Sequence, residues 1–282
     1  MTCCPPGSLP ACPTNDDSPP ILLGSTKAYF YDNSTSSVCI LVFPDVFGPT
    51  SGRTKEYCVK LSSMYKVALL DLVDDYIIQD ETRPSDVTVN ANSTRNVKLG
   101  EKIMSAISHP FQKLSSKVKM IKWAKSHPFE QLLININGAV EHLKNQHHVT
   151  TFAGIGYCWG SWVLGKYAGV PNSPLAAGVH CHPSWRVEDI YHGPNSGKRM
   201  TNTINSPQLL LCAGNDPEWL HPGGVVDEAL KAKSFGLQCK VVLFKSMIHG
   251  WVIRGDITND EVAVGVNEAW ETIYPFLHEL LP

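Results

Sequence analysis

Gly154-Ile155-Gly156-Tyr157-Cys158-Trp159-Gly160 is the stretch that decides the architecture. It stands where an apolar run from Thr150 to Gly156 ends and a helical pattern starting near Ser161 begins, so it reads as strand, sharp turn, helix. Glycines two residues before and two after Cys158 let the backbone turn tightly where side chains would clash. The turn forces the central residue into a strained conformation and holds its thiol above the sheet edge. A cysteine at a helix start also feels the positive end of the helix dipole, which favours thiolate. The N–H of Trp159, next in the chain, is a candidate donor to a developing oxyanion. Taken alone, the pattern also fits a buried structural cysteine, the commonest state of a free thiol.

Downstream segments supply partners in a fixed order. Leu209-Leu210-Leu211-Cys212-Ala213-Gly214-Asn215-Asp216 reads as a buried strand ending in a loop that carries Asp216, and Val241-Val242-Leu243-Phe244 as another strand, followed by Met247-Ile248-His249-Gly250-Trp251. A nucleophile, then an acid, then a histidine, each just past a strand end, is the chain order of an α/β-hydrolase triad. Cys158 is then the nucleophile, Asp216 the acid that orients the ring, and His249 the base that takes the thiol proton and later activates water. Upstream, the strand Val38 to Phe43 runs into Pro44-Asp45-Val46-Phe47-Gly48, which makes the N–H of Val46 the second oxyanion candidate.

With these segments quoted, the sequence resembles the dienelactone hydrolase family, also called carboxymethylenebutenolidase-like proteins. The matching residues are Asp45-Val46-Phe47-Gly48, Gly156-Tyr157-Cys158-Trp159-Gly160, Gly214-Asn215-Asp216 and His249-Gly250-Trp251-Val252-Ile253-Arg254, and the likeness spans about residues 25 to 280. The resemblance implies a single α/β-hydrolase domain with a mostly parallel central sheet and helices on both faces. It implies hydrolysis of a lactone or activated ester through a Cys-Asp-His triad and an acyl-enzyme intermediate, with no metal and no cofactor. It further implies that Asp45 sits beside the resting thiol and that Arg254 faces a substrate carboxylate, so the expected substrate is an anionic small molecule. Tyr157, Trp251 and His182 are further candidates to bind or modulate substrate; His180 and His182 follow each other at the exit of the strand Ala176 to Cys181. The family's bacterial members carry a second substrate arginine before the elbow, and between Gly100 and Val149 this chain has none. Two alternatives keep the same residues: a thioesterase or carboxylesterase, and a reactive-thiol sensor or binding protein without turnover.

Composition agrees with a globular hydrolase. Hydrophobic residues make up 43% of the 282 residues and charged ones 18%, enough apolar material for a full core. A formal net charge of -2 supplies no field for a polyanion, which argues against nucleic acid as the main partner. No apolar run approaches the ~18 residues of a membrane span. No cation precedes Lys27, so no secretory signal is read, and nine cysteines, an odd count, fit reduced thiols in the cytoplasm. Residues 1–24, with Cys3, Cys4 and Cys12 among prolines, are expected to be a flexible tail before a single domain over 25–282. The polar stretch 76–100 is expected to be a cap loop or an insertion.

Strands are also expected over Val67 to Leu72, a helix over Thr50 to Tyr65, and a helical pattern from Val262 to Leu280 broken at Pro275. The lysine-rich segment from Gln112 to Lys125 reads as a solvated helix face.

Overall fold

The computed structural model describes Leu9, residues 18–77 and residues 118–282. The chain forms strands β1 (Ile21–Leu23), β2 (Thr26–Tyr31), β3 (Val38–Phe43), β4 (Lys66–Asp71), β5 (Thr151–Tyr157), β6 (Leu175–Cys181), β7 (Gln208–Ala213) and β8 (Lys240–Phe244). They make one sheet in the order β1-β2-β4-β3-β5-β6-β7-β8. From β4 to β8 every pairing is parallel, while β1 and β2 add an antiparallel edge. All six residues of β3 and of β7 are buried, which is why these strands are continuous apolar runs: both faces of a parallel sheet are covered.

The helices Phe129–His147, Trp159–Ala168 and Val225–Lys231 bury residues in the core layer on one face, and Thr54–Leu61 and Asp260–Leu280 in the layer on the other. Because the parallel strands run the same way, their exit loops collect at one edge, and the residues singled out in the sequence lie there.

Several expectations need correction. The tail expected over 1–24 does not extend that far: Ile21–Leu23 pair with β2, Ser18 accepts a hydrogen bond from Lys55 Nζ at 3.1 Å, and the Leu9 N–H donates to the His249 carbonyl at 3.3 Å. β2 carries no clear strand signal in the sequence, because Thr26–Tyr31 is only partly buried and mixes polar with aromatic residues. The first helix is shorter than expected, Thr54–Leu61, because Gly52 at φ +54 precedes it in a turn. The last helix is not broken at Pro275. It runs continuously from Asp260 to Leu280, with Pro275 exposed while Ile273, Phe276 and Leu277 pack into the core and outweigh the lost backbone hydrogen bond. Residues 118–126 are helical, with Lys119, Lys122 and Lys125 exposed. Apart from Tyr76 and Ile77, the expected cap stretch 76–100 lies outside the described residues, as do Cys3, Cys4 and Cys12.

Candidate active site

The elbow is built by close backbone approach. Cys158 has φ 52 and ψ -113 and is the residue from which the helix Trp159–Ala168 starts. A Cβ on Gly156 would lie 2.6 Å from the Gly160 carbonyl oxygen and 2.7 Å from Ser161 Cα, and one on Gly160 would strike the carbonyl oxygens of Phe43 and Pro44. Gly160 therefore lets the elbow pack against the exit of β3, where Asp45 and Val46 sit. Trp159 opens its helix, so its N–H is among the first-turn donors that have no intrahelical acceptor.

The two downstream loops meet this elbow. Asp216 Oδ1 lies 2.6 Å from His249 Nδ1, and Asp216 Oδ2 accepts from the Ala213 N–H at 2.8 Å. The His249 N–H donates to Asn215 Oδ1 at 2.7 Å, and the Gly214 N–H to the Met247 carbonyl at 3.0 Å, so the loops that carry Asp216 and His249 are tied together. Burial disfavours a charged His249, but the Asp216 carboxylate and Cys158 outweigh it and hold the imidazole well above its ordinary pKa. Cys158 Sγ lies 3.3 Å from Ser184 Oγ, which in turn lies 3.5 Å from His249 Nε2. Ser184 had no sequence signal of its own, since it stands outside every quoted motif.

Cys158 is fully buried, and its cover includes Ser184 and His249.

Asp45 is also fully buried. Its carboxylate accepts from the Phe47 N–H at 2.9 Å and from Ser51 Oγ at 3.1 Å, and pairs with Arg254 Nε at 3.1 Å. Burial raises its pKa, Arg254 pulls it back, Cys158 pushes it up again, and the net position is about 6. Arg254 was expected to face substrate; its side chain is instead fully buried, bound to Asp45, donating to the Leu9 carbonyl and lying 4.8 Å over the Phe47 ring. Arg53 fixes the short helix Trp251–Arg254 by donating to the carbonyls of Gly255, Trp251 and Val252.

His180 and His182 separate. His180 bonds to Ser161 Oγ at 2.9 Å and to Gln208 Oε1 at 2.7 Å, and burial holds it neutral with a pKa of about 4. His182 is fully buried at φ 41, with its ring 4.9 Å from the His249 ring and 5.6 Å from Trp251. Both of its ring nitrogens are unpartnered, and burial with the neighbouring His249 holds it well below its ordinary pKa. Trp251 Nε1 is likewise buried without a hydrogen-bond partner. Tyr157 packs in the opposite core layer, near Tyr57, Cys58 and Tyr274, although its ring is 6.1 Å from His182. Among the described residues no group of three or more His, Cys, Asp or Glu side chains is arranged to hold a metal ion, and no helix is long and apolar enough to cross a membrane.

Comparison with known proteins follows the same outline. The family model described as "Dienelactone hydrolase family" matches residues 26–281. A carboxymethylenebutenolidase homolog of Xenopus tropicalis is 27% identical over 175 residues, covering 61% of this chain and 66% of that protein, just under two thirds of its length. A putative dienelactone hydrolase from Klebsiella pneumoniae subsp. pneumoniae MGH 78578 superimposes with a TM-score of 0.57 at 16% identity, over 90% of this chain and 92% of that one. A dienelactone hydrolase-like promiscuous phosphotriesterase from metagenomic libraries, P91, gives a TM-score of 0.52 at 17% identity, over 98% and 100%. At these identities the structural matches establish the fold, which is that of an α/β-hydrolase.

Proposed function

This chain belongs to the dienelactone hydrolase family, a family of hydrolases, and from that premise we propose that it cleaves a lactone or activated ester by nucleophilic attack from Cys158. The observation that carries the proposal is the buried 2.6 Å contact between His249 Nδ1 and Asp216 Oδ1, beside a cysteine held at a strained helix start. With Asp216 accepting from Nδ1, the opposite nitrogen, Nε2, is the one that takes the thiol proton. The thiolate then attacks the carbonyl carbon. The N–H groups of Val46 and Trp159 donate to the oxygen as it gains charge, and the leaving alcohol takes the proton from His249. Water, deprotonated by His249, attacks the thioester and releases the acid. A small-molecule substrate and a cytoplasmic setting belong to the same proposal.

Substrate charge is the finer part of the proposal. The guanidinium of Arg254 lies beside the site but is neutralised by Asp45, so an anionic substrate would have to draw it from Asp45 and from the Leu9 carbonyl. Steady-state release of p-nitrophenolate from p-nitrophenyl acetate tests the hydrolase. Sustained turnover that is lost in Cys158→Ala supports it. Release that stops at one equivalent per chain favours the reactive-thiol sensor instead.

A further inference from the structure

We infer that Ser184 is a positioning residue that holds the Cys158 thiol beside His249 and donates to the sulfur once it is ionised. The inference rests on the hydrolase reading above. Ser184 stands three residues past the end of β6, beyond His182, whose φ of 41 turns the chain back toward the elbow. It grips Cys158 twice: its N–H donates to the Cys158 carbonyl at 3.2 Å, and its hydroxyl lies 3.3 Å from the sulfur. The same hydroxyl lies 3.5 Å from His249 Nε2, and the residue is 3% exposed.

A hydroxyl suits this place because it is donor and acceptor at once. In the resting state the thiol lies within reach of both Ser184 Oγ and His249, whose Nε2 is the acceptor nitrogen when Nδ1–H is held by Asp216. On activation the S–H bond breaks and its electron pair stays on sulfur. The proton ends on Nε2, and the hydroxyl donates to the thiolate. The thiolate needs such a donor: Cys158 is fully buried and its charge is opposed by the nearby Asp45.

The test is the rate of Cys158 alkylation by iodoacetamide against pH, read by peptide mass in the wild type, Ser184→Ala, Ser184→Gly and Ser184→Thr, with melting temperatures in parallel. Both variants that lack the hydroxyl should move the midpoint up by about one pH unit, about tenfold less thiolate at a fixed pH below it, and Ser184→Thr should restore it. Space opened around the thiol changes the plateau rate and leaves the midpoint alone, so the midpoint separates an electrostatic role from a packing one. A folded Ser184→Ala protein with the wild-type midpoint overturns the inference, and leaves the hydrolase reading standing if the wild type turns over. A wild type that neither labels at Cys158 nor turns over overturns both.

Discussion

Two buried imidazoles lie near the carboxyl end of this sheet, each between a nucleophile-type side chain and an acceptor. One chain runs from Cys158 and Ser184 through His249 to Asp216, the other from Ser161 through His180 to Gln208. Both rings are fully buried, and burial pushes both toward neutrality. They part because Asp216 brings a full negative charge to 2.6 Å and Gln208 only an amide dipole to 2.7 Å. His249 is held well above its ordinary pKa and His180 falls to about 4. Their neighbours differ too: Cys158 sits at φ 52 in the elbow, whereas Ser161 is already inside a regular helix. One of these chains is the proposed proton-transfer path, and the other ties the core together. Charge on the last member and strain at the first make the difference.

The largest test of this contrast compares the two nucleophile-type positions. Cys158→Ala should lower kcat for p-nitrophenyl acetate by about 10⁴-fold, whereas Ser161→Ala should keep kcat within about threefold and cost about 1 kcal/mol of stability, since the Ser161 carbonyl also approaches His180 Nδ1. Equal losses would erase the distinction. Next come the last members, Asp216 and Gln208. Asp216→Asn should cost about 10²- to 10⁴-fold in kcat/KM by removing the charge that orients and stabilises the imidazolium. The reciprocal Gln208→Glu should raise the His180 pKa by about one to three units in an NMR titration. If that variant leaves His180 where it is, charge on the partner is not what separates the chains.

The smallest effect concerns Asp45, the other buried carboxylate at the site. A folded-state pKa near 6, against an ordinary 3.8, means that the folded protein keeps a proton the unfolded chain has lost. The stability this contributes is complete below pH 3.8 and is lost as pH rises through 6, by about 3 kcal/mol at most. The difference in melting temperature, wild type minus Asp45→Asn, should therefore fall between pH 4 and pH 6. A flat difference would show that Arg254 already keeps Asp45 ionised throughout.

Much of this architecture was legible in the chain. β3 has the ends read from its apolar run, β8 starts one residue before its run, and the elbow, Asp216 and His249 stand where motif and order put them. β1 and β2 were missed because an antiparallel edge strand is half exposed and carries no continuous apolar run. Pro275 misled because proline's cost is local, whereas the packing of Ile273, Phe276 and Leu277 that overrides it is tertiary.

By itself the sequence determined the turn at Cys158, the apolar strands behind it, and the exit loops on which Asp216 and His249 stand. These follow from glycine sterics and hydrophobic periodicity, which act between neighbours along the chain. Only the tertiary structure decided that Ser184 meets the thiol, that Arg254 is spent on Asp45 and the Leu9 carbonyl, and that of two buried imidazoles one has its pKa raised and the other lowered. Burial and charge are summed over groups far apart in sequence. Leu9 and Arg254 are 245 residues apart, and no local pattern records what will face a side chain across that distance.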